Sequence, residues 1–223
     1  MKIDILTLFP NMFDGFLKES IIKRAQEKGK VTITIHNIRD YSKDKHKKVD
    51  DYGFGGGKGM VLMIQPIYDA IEHLKTKDST VIMMTPQREP YRQKRAYQLS
   101  TLKHLIILCG HYEGFDERIR SFVDLEISMG DFILTGGEIP SMALADSVIR
   151  LLPGVIEEES HHKETFNDAL FDYPVYTKPV DFKGLKVPEV LLSGNHQKID
   201  NWRYQEALKK TELRRPDLLE RDD

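Results

Sequence analysis

An unbroken apolar run, L-I-I-L-C at residues 105–109, limits what this chain can fold into more than any other stretch. A strand with no polar position has no face to offer water, so it must be covered on both sides, as central strands of parallel sheets are. Further strand-like runs lie at 3–9, 31–35, 80–84 and 125–128, and segments of helical periodicity separate them. Phe13, Phe16, Leu17, Ile21 and Ala25 share one helical face, with Asn11 as the expected cap and Gly29 as the stop. Ile67, Ala70, Ile71 and Leu74 follow Pro66 in the same way, and another helix is predicted over 92–99. Strand and helix in alternation predict an α/β domain on a mainly parallel sheet.

In such sheets ligands sit beyond the carboxyl ends of the strands. Three segments fall there: Pro86, the run G-H-Y-E-G at 110–114, and E-I-S-M-G-D-F-I-L-T-G-G-E-I-P at 126–140. The last reads as strand, loop and helix start. Gly130, Gly136 and Gly137 permit turns and close approach of main chain, and the fixed φ of Pro140 suits a first helical turn. With few polar side chains in the loop, main-chain amides and carbonyls are expected to do most of any small-ligand binding. A plain glycine-rich connection is the competing reading. The helix after it carries Met142, Ala145, Ile149 and Leu152 inward and stops at Pro153-Gly154.

Composition narrows the class. The 223 residues suit one large domain with a small one attached, and no apolar run is long enough to span a bilayer, so no membrane association is expected. The start M-K-I-D-I-L-T-L-F-P has Asp4 within its apolar run and no small-residue cleavage site, which marks a buried strand rather than a secretion signal. The single cysteine, Cys109, excludes an internal disulfide or a cysteine-zinc cluster and fits a reducing, cytoplasmic setting. A net charge of −2 hides an uneven distribution. Arg39, Lys43, Lys45, Lys47 and Lys48 precede G-F-G-G-G-K-G at 53–59, where Lys58 is followed by Gly59 rather than Ser or Thr, so this is no nucleotide P-loop. It is either a solvated flexible loop or a basic loop able to close over a phosphate backbone.

From Val155 the periodicity gives way to E-E-E-S-H-H-K-E-T-F-N-D and then to proline-punctuated chain over 173–188. This predicts a large domain at 1–159, a linker at 160–172 and a small C-terminal domain at 173–223. His161 and His162 lack companions for a metal site. Asn195 caps a last helix bearing Ile199, Trp202 and Leu208, with Lys198, Arg203, Lys209, Lys210, Arg214 and Arg215 around it. Cations beside an indole suit RNA contact; a solvated charged helix with one core tryptophan gives the same pattern.

Taken together, L-T-L-F-P at 6–10, V-D-D-Y-G-F-G-G-G-K-G-M at 49–60, C-G-H-Y-E-G at 109–114, D-E-R-I-R at 116–120, the run 126–138 and V-P-E-V-L-L-S-G-N-H at 187–196 resemble the bacterial tRNA (guanine-N1) methyltransferase family. That family lies within the SPOUT class of knotted methyltransferases. The resemblance spans nearly the whole chain in the family's order. It implies an α/β domain tied in a deep trefoil knot, a small helical C-terminal domain, a homodimer with each site at the interface, and methyl transfer from S-adenosylmethionine to N1 of guanine at position 37 of tRNA. Carried over to matching positions, the cofactor contacts are Pro86, Gly110, Tyr112, Glu113, Met129, Gly130, Asp131, Phe132, Ile133, Leu134, Gly136, Gly137 and Pro140. Glu164, standing where the family has aspartate, is the implied base, and Arg150 the implied donor to guanine O6. Lys58, His196, Arg203, Arg214 and Arg215 are the expected RNA contacts. Magnesium dependence goes with the family, though no residue here marks its ligands. Arg88 and Gly53 depart from the family's usual glycine and proline. The competing functions are a ribose 2'-O methyltransferase and an RNA-binding protein that has lost transfer.

Overall fold

The computed structural model describes residues 1–157 and 170–219; Glu164, His161 and His162 lie outside the described residues. In chain order the first part contains β1 (Lys2–Thr7), α1 (Asp14–Lys18), α2 (Ser20–Glu27), β2 (Thr32–Asn37), β3 (Asp50–Asp51), β4 (Val61–Leu62) and α3 (Ile64–Leu74). It continues through β5 (Ser79–Met84), α4 (Gln93–Ser100), β6 (His104–Leu108), β7 (Leu125–Ile127) and α5 (Glu138–Ile149). Five strands form one parallel sheet in the order β2-β1-β6-β5-β7. The apolar run at 105–109 supplies β6, the central strand of the order, buried at every position.

Period-two alternation sorts the sheet into two cores. Ile3, Ile5, Leu105, Ile107, Ile82 and Met84 face one way, against Ile22 and Ala25 of α2, Leu99 of α4 and Leu144, Ala145, Val148 and Ile149 of α5. Leu6, Val81, Met83, Ile106 and Leu108 face the other, against Ile67, Ala70, Ile71 and Leu74 of α3. Helices on both faces of a parallel sheet are the arrangement the continuous apolar strands require.

One polar group is set into this sheet. Asp4 in β1 is 1% exposed, and Lys2, His36 and His104 reach it from one face of three neighbouring strands. His36 Nε2 lies 2.9 Å from Asp4 Oδ1, while His104 Nε2 and Lys2 Nζ each lie 2.7 Å from Oδ2. With both Nε2–H groups donating to the carboxylate, the Nδ1 atoms accept from Tyr41 Oη at 3.3 Å and Ser79 Oγ at 2.7 Å. Burial alone would push the Asp4 pKa up; hydrogen bonds from His36, Lys2 and His104 outweigh it and hold the carboxyl well below the usual range.

The single helix expected over 11–29 is divided. Pro10–Phe13 form a 3-10 turn, Glu19 is extended, and Ser20 has a φ of 50°, so α1 and α2 are separate pieces. Asn11 therefore lies inside a turn rather than capping a helix, and the Thr7 hydroxyl organises the entry by accepting from Phe9 N–H at 2.9 Å. The stop at Gly29, with φ 65°, stands as expected.

The chain separates into two compact units, Met1–Ile156 and Glu157–Asp223. The second holds β8 (Asp181–Phe182), β9 (Leu185–Lys186), α6 (Glu189–Leu192) and α7 (His196–Arg214). The β8–β9 hairpin lies in the proline-punctuated stretch at 173–188, for which the sequence suggested no strand. Its two-residue loop, Lys183-Gly184, has φ of 55° and 85°, the left-handed pair that tight hairpin turns need. Asn195 caps α7 as expected, accepting from Lys198 N–H at 3.1 Å. Among the described residues, no helix is long and apolar enough to cross a membrane.

Candidate active site

Where β5, β6 and β7 end, three loops are stitched together by main-chain bonds. Thr85 N–H donates to Ile127 O at 3.0 Å and Tyr91 N–H to Ser128 O at 2.7 Å, joining the loop after β5 to that after β7. Gly137 N–H donates to Gly110 O at 2.8 Å, joining the loop after β6 to the start of α5. The glycine-rich segment joins as well: Glu113 N–H bonds Met60 O at 3.0 Å, and Gly59 lies so near Glu113 that an added Cβ would sit 2.5 Å from its Cγ.

These loops enclose a cavity of about 350 Å3, within the range of small-molecule sites. Of the expected contact residues, Pro86, Gly110, Tyr112, Glu113, Met129, Gly130, Phe132, Ile133, Leu134, Gly136, Gly137 and Pro140 line it. Asp131 is exposed and is not among the lining residues. Two backbone conformations shape the wall: Gly130 has a φ of 142°, closed to residues with a Cβ, and Tyr112 holds φ 59° despite its side chain. Gly137 is required for a different reason, because a Cβ there would meet Cys109 Cα and Gly110 N at 2.7 Å, both main chain. At Gly136 a Cβ would project at His111 Nδ1, 2.7 Å away, and at the Glu138 carboxylate, which Thr7 Oγ1 holds by donating at 2.7 Å.

Several lining residues had no role in the sequence reading. His111 lines the cavity, while its Nδ1 is buried against Gly136 with no hydrogen-bond partner among the described residues. Arg120, from D-E-R-I-R, fixes one wall: it donates to Gln87 Oε1 at 2.6 Å, lies 2.9 Å from Glu117 Oε1, and pairs with Glu126. Its motif, which includes Glu117, was visible in the sequence; the partners Gln87 and Glu126, brought from other segments, were not. Cys109 lies beneath the site, and burial pushes its thiol pKa up, so it is no nucleophile. Among the described residues, no group of three or more His, Cys, Asp or Glu is placed to hold a metal ion.

The other expected site residues lie elsewhere. Arg150 caps the far end of α5, ten residues past Pro140 and so about 15 Å along the axis from the cavity wall. Lys58 is exposed in the glycine-rich loop. In the second unit His196 and Arg214 are exposed on α7, Arg203 stacks over Tyr173 at 4.8 Å, and Arg215 pairs with Asp217 through two bonds of 2.7 Å.

A parallel α/β sheet with a glycine-framed cavity past its strand ends, built mainly from main chain, defines a small-ligand-binding domain of the kind that holds a cofactor. The comparisons make the class specific. The family model described as tRNA (Guanine-1)-methyltransferase TrmD matches residues 1–221. The tRNA (guanine-N(1)-)-methyltransferase of Bacillus pumilus is 57% identical over 99% of this chain and 92% of its own length. Those of Bacillus subtilis and Staphylococcus aureus are 56% and 54% identical over 98% and 99% of the chain, with 92% and 91% of their own lengths covered. The chain belongs to the tRNA (guanine-N1)-methyltransferase family.

Proposed function

We propose that this protein is a tRNA (guanine-N1)-methyltransferase that moves the methyl group of S-adenosylmethionine to N1 of guanine at position 37, beside the anticodon. The observation that carries the reading is the cavity between the loops after β5, β6 and β7, in a chain of this family. The residues present fit the donor: Gly110, Gly130, Gly136 and Gly137 present main chain without side chains at the cavity wall, and Met129, Ile133 and Leu134 offer an apolar surface. Pro86, Gly110, Tyr112, Glu113, Gly130, Phe132, Gly137 and Pro140 complete the contacts. Lys58, His196, Arg203, Arg214 and Arg215 contact the RNA, and a tRNA substrate places the enzyme in the cytoplasm.

When bound, the cofactor supplies an electrophilic methyl on a sulfonium. The residues of the chain supply the rest. Neutral guanine carries a proton on N1 and its lone pair is drawn into the ring, so a base must remove that proton as the nitrogen attacks. Glu164 takes this role. Negative charge shifts onto O6 at the same time, and the Arg150 guanidinium donates to it.

A homodimer is part of the proposal, and two observations support it. Arg150 is about 15 Å along α5 from the cavity of its own chain, so it serves a cavity only from a neighbouring protomer. Beside the cavity, Ile133 is 79% exposed and Phe132 55%, apolar surface that a second copy would cover. A trefoil crossing in this domain is part of the proposal as well, on the strength of the family alone.

Replacing Glu164 by Gln is expected to lower single-turnover methylation by at least about 100-fold, within the usual range for a general base, with cofactor affinity unchanged by calorimetry. Full activity would remove Glu164 from the mechanism. Shared sites are tested by mixing. Protomers carrying Arg150→Ala and Glu164→Gln, re-assembled with Gly136→Val protomers, are expected to regain activity, because each hybrid dimer contains one site free of all three changes. No recovery would refute the shared site.

A further inference from the structure

Next to the cavity, on the other side of the loop after β5, is a polar cleft of about 640 Å3. Ile127 contributes to the walls of both. Arg88, Arg92, Lys94 and Arg95 line this cleft, all exposed, and among the described residues none forms an ion pair. Two of the acids in the same walls are already engaged: Glu126 pairs with Arg120, and Asp124 Oδ2 accepts from Val81 N–H at 2.7 Å. Asp124 keeps its charge in that bond, so with Glu126 neutralised by Arg120 the walls set four cations against Glu89 and Asp124.

The place of these cations within the fold works against a purely structural role. Arg92 is the N-cap of α4, Lys94 and Arg95 lie in its first turn, no acid stands there, and no side chain caps the exposed N–H groups. Cations at the positive end of a helix dipole raise the energy of the helix, and an anion in the cleft would reverse that sign. Long, flexible, exposed side chains suit a run of phosphates more than one compact anion, which is commonly held by main-chain N–H groups.

We infer that the cleft bounded by Arg88, Arg92, Lys94 and Arg95 binds the phosphate backbone of the substrate RNA and sets the approach of the target base to the adjacent cavity. The inference rests on the tRNA reading of the cavity and adds a contact surface to it. Because backbone contacts position without reading sequence, the cleft would contribute affinity shared by all tRNAs, not discrimination among them.

The test uses the full-length protein and the triple variant Arg92→Ala, Lys94→Ala and Arg95→Ala. Dissociation constants for unmodified tRNA are measured across a range of potassium chloride concentrations, with cofactor affinity and melting temperature in parallel. The variant is expected to bind tRNA at least about tenfold more weakly and to lose about two units from the slope of log affinity against log salt, on the scale of one unit or slightly less per phosphate contact. Cofactor affinity should match the parent, and the melting temperature should hold or rise, since three cations have left the positive end of α4. Lysine at positions 92 and 95 keeps the charge and should keep the slope. Unchanged tRNA affinity and slope in the alanine variant, beside a parent that methylates tRNA, would overturn the cleft and leave the enzyme standing. A parent that neither bound nor methylated tRNA would refute both.

Discussion

Gly136→Val is expected to abolish detectable cofactor binding, with a loss of at least about 100-fold, or about 2.8 kcal/mol. The reason is local. A side chain at this position enters the space between His111 Nδ1 and the Glu138 carboxylate, and Glu138 cannot swing away without breaking its buried bond from Thr7. The added side chain would therefore drive the His111 ring, which lines the cavity, out of place. Calorimetry gives the affinity and circular dichroism the integrity of the sheet; a folded variant with parental affinity would place the donor somewhere else. Gly137 provides the contrast. Its missing Cβ is faced by the main chain of Cys109 and Gly110, so substitution there is expected to act on the fold itself.

The second large effect lies far from the cavity. Asp4→Asn leaves Lys2, His36 and His104 gathered around an uncharged amide inside the sheet, and breaking a buried, hydrogen-bonded charge set is expected to destabilise the protein by about 3 kcal/mol. For a chain of this size that lowers the melting temperature by about 6–12 °C. The pH dependence follows from the direction of the shift. The folded pKa of Asp4 is depressed, so its contribution is fully present above the unfolded value of about 3.9 and is lost as pH falls below it toward the folded pKa. Thermal unfolding of parent and variant between pH 7 and roughly pH 2.5 should show the two curves converging on the acid side. A constant gap across that range would mean that the carboxylate charge is not what stabilises the cluster.

Much of the fold was legible because burial leaves a periodic trace. The continuous run at 105–109 became β6, the alternating residues near 31–35 became β2 at the sheet edge, and the spacing of Ile67, Ala70, Ile71 and Leu74 became the buried side of α3. What periodicity could not show was a change of direction inside an amphipathic stretch. The break at Glu19 and Ser20 leaves the apolar spacing of Phe13 to Ala25 intact while splitting the helix. The hairpin at 181–186 was missed because its strands are exposed on both faces and carry no alternation; the Lys183-Gly184 turn was its only local mark.

For the site, glycine spacing and strand-end position mark the three loops in the sequence itself, since those features are local. Side chains gathered from separate elements were beyond reach. The Arg120 links to Gln87 and Glu126, the hold of Thr7 on Glu138, and the Asp4 cluster each depend on pairings across the sheet or between separate segments. The basic cleft was hidden for a similar reason. Arg92, Lys94 and Arg95 fall within a predicted helix, and Arg88 marks only a departure from the family's glycine; their common cleft depends on where α4 packs beside β7.

The central claim is that the cavity beyond β5, β6 and β7 presents a methyl donor to the ring nitrogen of a guanine in tRNA. The most direct measurement incubates the protein with methyl-labelled S-adenosylmethionine and unmodified tRNA bearing guanine at position 37, then digests the RNA to nucleosides. The account predicts label in N1-methylguanosine, one per tRNA, and none when position 37 is changed to adenine. Label on a ribose 2'-oxygen, or tight tRNA binding with no labelled product, would contradict it.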